Sequence, residues 1–286
     1  MPVAALMLVL GAAVFHASWN YAAKGARGGL GFAAATVACS VLLFLPLTVA
    51  LLILLRDELA PAMLGLMIVS GVFHTLYFHV LTEGYRRGDL SVVYPLSRGT
   101  GPIFTIVGAV TLLDERPEPL ALTGVALIIA GVIFISLPRD VDAHRAWPSI
   151  GFALATGACI ATYSLWDKNA VDDVPPVLYG LGIDVARMFV LAPVLLASAT
   201  VRSDALDAWT AHRRATLIVG ALTPAAYLLV LVAFTLAPVS YVAPAREVSI
   251  LFGAALGLGV LGEGFAMQRM SGAAAIVAGL VALSLA

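Results

Sequence analysis

The sequence Leu90-Ser91-Val92-Val93-Tyr94-Pro95 returns 149 positions later as Val239-Ser240-Tyr241-Val242-Ala243-Pro244. Both stretches place a serine and a proline four residues apart, and both lie near the start of an apolar segment. The interval is close to half of the 286 residues. A sequence that repeats at half its own length indicates a duplicated unit.

A second set of matches follows each stretch at almost the same interval. One glutamate and two glycines recur at an offset of 148, which implies a one-residue slip inside the preceding helix. These residues are Glu115, Gly124 and Gly131 in the first half and Glu263, Gly272 and Gly279 in the second. Each half therefore ends with the same helix pair, and we expect two related units, residues 1–140 and 146–286.

The composition around these stretches is that of a membrane protein. Hydrophobic residues make up 61% of the chain and charged residues 12%, and the mean hydropathy is +1.00. No water-soluble core of this length needs so much apolar side chain. Because about 20 apolar residues cross a bilayer as a helix, we predict an all-α integral membrane protein with ten transmembrane helices. Their predicted bounds are 2–24, 29–55, 60–83, 90–113, 119–137, 148–166, 176–199, 214–236, 239–262 and 268–285.

The duplication sets the orientation of the two halves. A unit of five helices crosses the membrane an odd number of times, so the second unit enters from the opposite side. The halves are therefore predicted to be inverted repeats, related by a pseudo-two-fold axis in the membrane plane. A site between such halves can face either side of the membrane in turn, which is the geometry of secondary transporters.

Several classes of protein are disfavoured by what the sequence lacks. The net charge is −1 without a basic run, so nothing indicates nucleic acid. Cys39 and Cys159 both fall in predicted spans and predict neither a disulfide framework nor a metal site. No Gly-Lys-Ser phosphate loop, zinc motif or nucleophile elbow occurs, and five scattered histidines supply no intramembrane catalytic cluster. We expect no enzyme activity, and transport driven by an ion or substrate gradient.

Three segments resemble the EamA family of the drug/metabolite transporter superfamily. They are His16-Ala17-Ser18-Trp19-Asn20-Tyr21-Ala22-Ala23-Lys24, Ser91 to Pro95, and Leu113-Asp114-Glu115. The resemblance covers essentially the whole chain through the order of these motifs. It implies a secondary transporter or exporter of small metabolites such as amino acids, with a cavity formed by both halves and no bound cofactor. We expect a multi-pass protein of the cell (inner) membrane whose partners are the lipid bilayer and a small-molecule substrate, and a monomer is compatible with this.

Arg98 is the strongest candidate for substrate binding. It lies about eight residues into the fourth predicted span, with Tyr94 and Ser97 on the same helical face. A charged side chain at mid-membrane costs about 2.5–3.5 kcal/mol, so it faces a wet cavity or a partner. A guanidinium can hold a carboxylate or phosphate through two parallel hydrogen bonds. The alternative is a structural ion pair with Glu247 or Glu83.

The second half carries two charges at the matching place. Arg246 and Glu247 follow Pro244 by two and three residues, and neighbours on a helix are about 100° apart. We therefore expect one of them to line the cavity and the other to pair internally. Glu247 is a candidate site for a coupling proton, and static pairing with Arg98 is the alternative.

The first helix carries a polar stripe. His16, Trp19, Asn20 and Lys24 are spaced i, i+3, i+4 and i+8, and so polar a stripe is predicted to face a cavity instead of lipid. His16 suits proton coupling, Asn20 hydrogen bonding and Trp19 stacking on a ligand. The alternative for Trp19 and Lys24 is anchoring at the membrane interface.

Other polar residues within the spans are predicted to serve the fold. Aromatic and polar side chains in the third and sixth spans have the spacing of a cavity wall, but packing is the preferred interpretation. An acidic and a basic residue in the seventh span are expected to form a structural pair, and the two matching glutamates to cap helices. These residues are His74, Tyr77, Phe78, Tyr163, Trp166, Asp167, Asp184, Arg187, Glu115 and Glu263.

The sidedness of the protein stays open at the level of the sequence. Placing both termini in the cytoplasm leaves three basic residues in inner connections and ten in outer ones, against the positive-inside rule. The charge pattern therefore favours termini outside, whereas the resemblance to nucleotide-sugar transporters favours termini inside.

The sequence thus predicts a secondary active transporter that works by alternating access. Its central cavity is expected among the first, third, fourth, sixth, eighth and ninth predicted helices, with Arg98 engaging an anionic group and Glu247 or His16 carrying a proton. The alternative is a flippase for a lipid or lipid-linked carrier, which would open sideways to the bilayer. A membrane scaffold is disfavoured because it needs no Arg–Glu chemistry at mid-membrane depth.

Overall fold

The computed structural model describes residues 1–23, 29–87, 90–136, 143–252 and 267–286, and within these ranges all regular structure is helical. Six described segments are long and apolar enough to cross a membrane. They are α1 (Val3–Ala23), α2 (Leu30–Leu54), α3 (Pro61–Arg87), Ser149–Asp173 of α6 (Ala143–Asp173), α7 (Pro176–Ala197) and α9 (Arg213–Leu236). The other helices are α4 (Leu90–Leu112), α5 (Pro119–Ser136), α8 (Ala199–Thr210), α10 (Val239–Ala245) and α11 (Met267–Leu285).

Most described helices begin and end within a few residues of the predicted bounds, and the exceptions have a local cause. α6 continues to Asp173, whereas the predicted span ends at 166. The prediction followed apolar residues, and the last turns of α6 are polar. α8 replaces a predicted connection. It is polar in composition, and Ser198 caps it by accepting a hydrogen bond from the Val201 amide at 3.3 Å.

The helix of the ninth predicted span is interrupted. α10 ends at Ala245, a turn of 3₁₀ helix covers Arg246–Val248, and residues 249–252 are helical again. Pro244 lies just before the interruption and has no amide hydrogen to donate. The rest of this predicted span, together with Lys24 and Glu263, lies outside the described residues.

The helix neighbours follow a pseudo-two-fold pattern. α1 packs on α9 as α6 packs on α3, and α2 packs on α9 as α7 packs on α3. Two further pairs, α2 with α7 and α5 with α11, join helices that occupy equivalent places in the two halves. Exchanging the halves therefore maps this set of contacts onto itself, as expected for a duplicated unit.

The α5–α11 pair is built from the repeated glycines. A Cβ atom on Gly124 would lie 2.6 Å from the Gly279 carbonyl oxygen, and one on Gly131 would lie 2.5 Å from that of Gly272. The two backbones are thus in direct contact, which only glycine allows. Because the first glycine of one helix meets the second of the other, the two equivalent helices run antiparallel.

The two ends of the bundle differ in their packing. The amino group of Met1 lies 3.4 Å from the carbonyl oxygen of Leu283, so α1 begins where α11 ends. An apolar cluster at this end includes buried Val174, Phe234 and Val239 and is joined by Leu55. We call this end the terminal face and the opposite end, which carries α8, the α8 face.

Candidate functional site

A cavity of about 200 Å³ lies between the two halves. Seven helices, α1, α2, α3, α4, α6, α7 and α9, line it together with Arg246. On α9 the lining positions run from Val219 through Thr223 and Tyr227 to Val230, about 16 Å at about 1.5 Å per residue. The wall is mainly apolar and aromatic, with a small number of charged groups, as is usual for small-molecule sites.

The cavity lies in the half of the bundle nearer the α8 face. Its wall includes Trp19 near the end of α1, Phe32 near the start of α2, and Val219 in the first turns of α9. Those parts of the helices are all on the α8 side. Buried apolar side chains such as Val174, Phe234 and Val239 pack together at the terminal face.

Arg98 lies on the cavity wall but its charge is occupied. Its Nε lies 2.9 Å from Oε2 of Glu247, and both side chains are at least nine-tenths buried. Its Nη2 also lies 3.4 Å from Nε2 of His16 and donates to Oγ of Ser249 at 3.3 Å. This ion pair joins α4 of the first half to the interrupted helix of the second, so it holds the halves together.

Arg246 is the cavity cation without an acidic partner. Its guanidinium carbon lies 5.5 Å from the centre of the Tyr227 ring, a cation–π contact. In the part of the chain that the structure describes, no carboxylate forms an ion pair with it. The adjacent Glu247 points to Arg98 instead, because the 3₁₀ turn directs neighbouring side chains to different sides. Arg246 therefore faces the cavity without a salt-bridge partner among the described residues.

A second ion pair contributes to the wall. Nη1 of Arg187 donates to Oδ1 of Asp184 at 2.9 Å, and Oγ of Ser40 donates to the other carboxylate oxygen at 2.5 Å. Five polar atoms of wall residues are buried without a hydrogen-bond partner in the described ranges. They are Nε1 of Trp19, Nε2 of His74, Nε of Arg98, Nε of Arg187 and Oγ1 of Thr223, and of these Nε of Arg98 has the ion-pair contact with Glu247.

Asp167 lies behind this wall and is fully buried. Its carboxylate accepts hydrogen bonds from Ser70 at 2.6 Å, from Tyr179 at 2.7 Å and from Tyr227. The donors come from α3, α7 and α9, so one carboxylate connects four helices of both halves. The sequence predicted a packing role for Asp167. The buried position agrees with that role, but the hydrogen-bond network was not predicted.

The structure separates the eight residues expected to bind substrate into two groups. His16, Trp19, Arg98 and Arg246 line the cavity. The other four do not line it. Glu247 is paired behind Arg98, the hydroxyl of buried Ser97 donates to the Tyr94 backbone carbonyl at 2.9 Å, and exposed Asn20 donates to the His16 carbonyl at 2.7 Å.

The site also contains residues that the sequence did not assign to it. Asp184 and Arg187 line the cavity as well as pairing with each other, and Tyr227 and Thr223 were not singled out. The charged spacing on α7 indicated the pair, but no local pattern tells which helices a given face will meet. Within the described ranges no group of three His, Cys, Asp or Glu residues is arranged to hold a metal ion.

Comparison with known proteins gives three results. The sequence profile of the EamA-like transporter family matches twice, over residues 3–137 and 147–285. A stretch of 79 residues is 34% identical to the multidrug transporter PA4990 of Pseudomonas aeruginosa, over 28% of this chain and 70% of that protein. One crystal structure superposes with a TM-score of 0.80 over 100% of this chain and 98% of the other, at 15% identity, which is a likeness of fold.

Proposed function

Because the chain belongs to the EamA-like transporter family, we propose that it is a secondary active transporter of small carboxylate-bearing metabolites such as amino acids. The observation that carries this proposal is Arg246, a cavity cation without a carboxylate partner among the described residues. A guanidinium inside a membrane protein is costly unless an anion offsets it. A substrate carboxylate supplies that anion and fits the planar donor set of arginine.

The rest of the cavity supports the same ligand chemistry. Two of its unpartnered atoms, Nε1 of Trp19 and Nε of Arg187, are donors only, and the hydroxyl of Thr223 can donate. Donors therefore outnumber free acceptors on the wall, which favours a ligand rich in oxygen acceptors. Aromatic rings of Tyr77, Phe78 and Tyr163 leave room for an apolar or aromatic remainder of the substrate.

The proposed mechanism is alternating access between inverted repeats. The cavity lies toward the α8 face, and apolar side chains are packed between the helices at the terminal face. In a pseudo-two-fold protein, exchanging the conformations of the halves closes the first face and opens the second. A total of ten crossings, with the interrupted helix as the ninth, agrees with α1 beginning beside the end of α11. The location in the cell (inner) membrane is part of this proposal.

Multidrug transport is the second candidate, since a relative bears that description and the cavity wall is largely apolar and aromatic. The two candidates differ in the charge they tolerate. A lipophilic cation would meet the charge of Arg246, whereas a carboxylate is attracted by it.

The test compares amino acids with matched ligands that lack the carboxylate. Purified protein is heated with L-amino acids and with their carboxamides, which have the same side chain but no negative charge. We expect the acids to raise the unfolding temperature, since saturation at about 100 times Kd stabilises by about 2.7 kcal/mol, and the carboxamides to have little effect.

In Arg246→Gln, the amino-acid concentration needed for the same rise in unfolding temperature should increase at least about tenfold, which corresponds to about 1.4 kcal/mol of binding free energy. Arg56→Gln is the matched control, because Arg56 is an exposed arginine outside the cavity. Equal stabilisation by acid and carboxamide, or an unchanged response of Arg246→Gln, contradicts the proposal. Stabilisation by lipophilic cations alone would instead support multidrug transport.

A further inference from the structure

His74 and Asp167 are close neighbours in the described structure, but no hydrogen bond joins them. Nδ1 of His74 lies 3.0 Å from the carbonyl oxygen of Ser70. A carbonyl oxygen only accepts hydrogen bonds, so Nδ1 carries the hydrogen and Nε2 of the neutral ring carries a lone pair. That Nε2 lies 3.8 Å from Oδ2 of Asp167 and is buried without a hydrogen-bond partner among the described residues.

A lone pair that faces a carboxylate oxygen is repelled by it. One additional proton, on either atom, changes the interaction into a charge-assisted hydrogen bond once a small side-chain rotation shortens the distance. The other oxygen of Asp167 is already occupied by Ser70 and Tyr179, and Tyr227 donates to Oδ2 from the cavity side. The network therefore lacks one hydrogen bond, between Nε2 of His74 and Oδ2 of Asp167, and one added proton would complete it.

We propose that His74 and Asp167 together bind one proton and that this proton is the ion coupled to transport. The coupling part rests on the proposed function, whereas proton binding does not. The proton comes from water in the cavity, since His74 and Tyr227 line it. One N–H or O–H bond forms, no other bond changes, and the proton returns to water when the site faces the other side.

Charged and titratable groups from every neighbouring element face this pair. α3 contributes Tyr77, α6 Tyr163, α7 Tyr179 and Arg187, α9 Tyr227, and the 3₁₀ turn Arg246. Arg187 is paired with Asp184, so Arg246 is the nearby arginine without a salt-bridge partner among the described residues. An added proton and the Arg246 charge repel each other, and a carboxylate bound to Arg246 removes that repulsion. Proton and carboxylate therefore favour each other's binding by linkage, which is the binding cooperativity that coupled movement of the two requires.

Asp167→Asn imitates the protonated pair. The amide oxygen still accepts from Ser70 and Tyr179, and the two amide hydrogens can be donated to Nε2 of His74 and, once the Tyr227 hydroxyl turns, to its oxygen, so each partner of Asp167 keeps a hydrogen bond. Asp172→Asn is the control, because Asp172 is exposed on the same helix and pairs with Lys168. His74→Gln removes the ring itself and provides a second, independent variant.

Proton binding is measured without any substrate. In protein labelled with ¹⁵N-histidine, the His74 signals are those missing from His74→Gln. We expect them to change with pH in one step in the native protein and in Asp172→Asn, and that step to disappear in Asp167→Asn. Signals that are independent of pH, or that titrate alike in native protein and Asp167→Asn, overturn the proton site.

Coupling is measured in liposomes that contain the pH-sensitive dye pyranine, with L-leucine as the probe. We expect L-leucine to drive proton movement through the native protein, and Asp167→Asn to reduce that movement at least about tenfold while retaining exchange of labelled for unlabelled L-leucine. Proton movement that persists in Asp167→Asn overturns the coupling role. Absence of leucine exchange in the native protein counts against the proposed function, and the histidine titration still decides the proton site.

Discussion

Arg98 and Arg246 carry the same charge on the same cavity, and their partners give them different roles. Arg98 is held by Glu247 at 2.9 Å, so its removal affects how the halves are joined. Arg246 lies 5.5 Å from the centre of the Tyr227 ring and forms no salt bridge in the described ranges, so we propose that its charge is available to a ligand. At this scale, the arginine with a carboxylate partner joins the two halves, and the arginine without one is the substrate-binding group that we propose.

The Arg98–Glu247 pair gives a prediction for stability. Glu247→Leu leaves Arg98 buried without its anion, and such a loss costs about 3–5 kcal/mol. Adding Arg98→Met removes the orphaned charge, so the double variant should recover most of that loss. The free energy of unfolding in bicelles, measured by steric trapping, tests this. Losses that simply add in the double variant would show that the two side chains are not coupled.

The sequence favoured Arg98 as the substrate-binding arginine and gave its pairing with Glu247 as the alternative, which is the arrangement that the structure has. The spacing after Pro244 correctly separates Arg246 and Glu247 to different surroundings, since neighbours on a helix diverge by about 100°. Which of them faces the cavity depends on the 3₁₀ turn at Arg246–Val248 and on α4, packed from the other half. Tertiary contacts of that kind have no local signature.

At the scale of elements, each half supplies parts that complete the other. Glu115 follows α4 in the first half, yet its two carboxylate oxygens accept from the amides of Val239 and Ser240 at 2.8 and 3.0 Å. It therefore caps the start of α10 in the second half and not the helix that follows it. The sequence predicted that Glu115 caps a helix. It could not predict which helix, because α10 lies over 100 residues away along the chain.

The glycine contact between α5 and α11 predicts a sharp difference between two similar substitutions. Gly131→Ala places a methyl group 2.5 Å from the Gly272 backbone, so the helices must separate, at a cost of about 1–3 kcal/mol. Gly65→Ala on α3 meets no atom within 4 Å and should cost nothing. Steric trapping of both variants measures the two free energies, and an equal effect would contradict the proposed backbone contact.

At the scale of the whole molecule, composition and duplication predicted an all-helical two-repeat membrane protein, and the family match bears this out. Both are properties of long stretches, so local errors average out. The parts that were missed are short and polar. α8 and the last turns of α6 were not predicted, because they are polar and the prediction followed apolar residues. α8 nevertheless packs on α2 and α9 beside the cavity.

The number of crossings yields the last prediction, which concerns topology. Five helices, α3 to α7, separate Asp57 from Ser203, whereas Leu285 ends the helix that finishes beside Met1. An odd number of crossings puts Asp57 and Ser203 on opposite sides, and the packing of the terminal face puts Asp57 and Leu285 on the same side. All three side chains are exposed, so each can be changed to cysteine after Cys39 and Cys159 are replaced.

A membrane-impermeant maleimide applied to sealed vesicles should label the cysteines at 57 and 285 together and the one at 203 only in vesicles of the opposite orientation. Labelling of 57 and 285 from opposite sides would require an odd number of crossings between them. Such a result would contradict two units of five helices each. It would therefore also contradict inverted repeats and the proposed alternating access at Arg246.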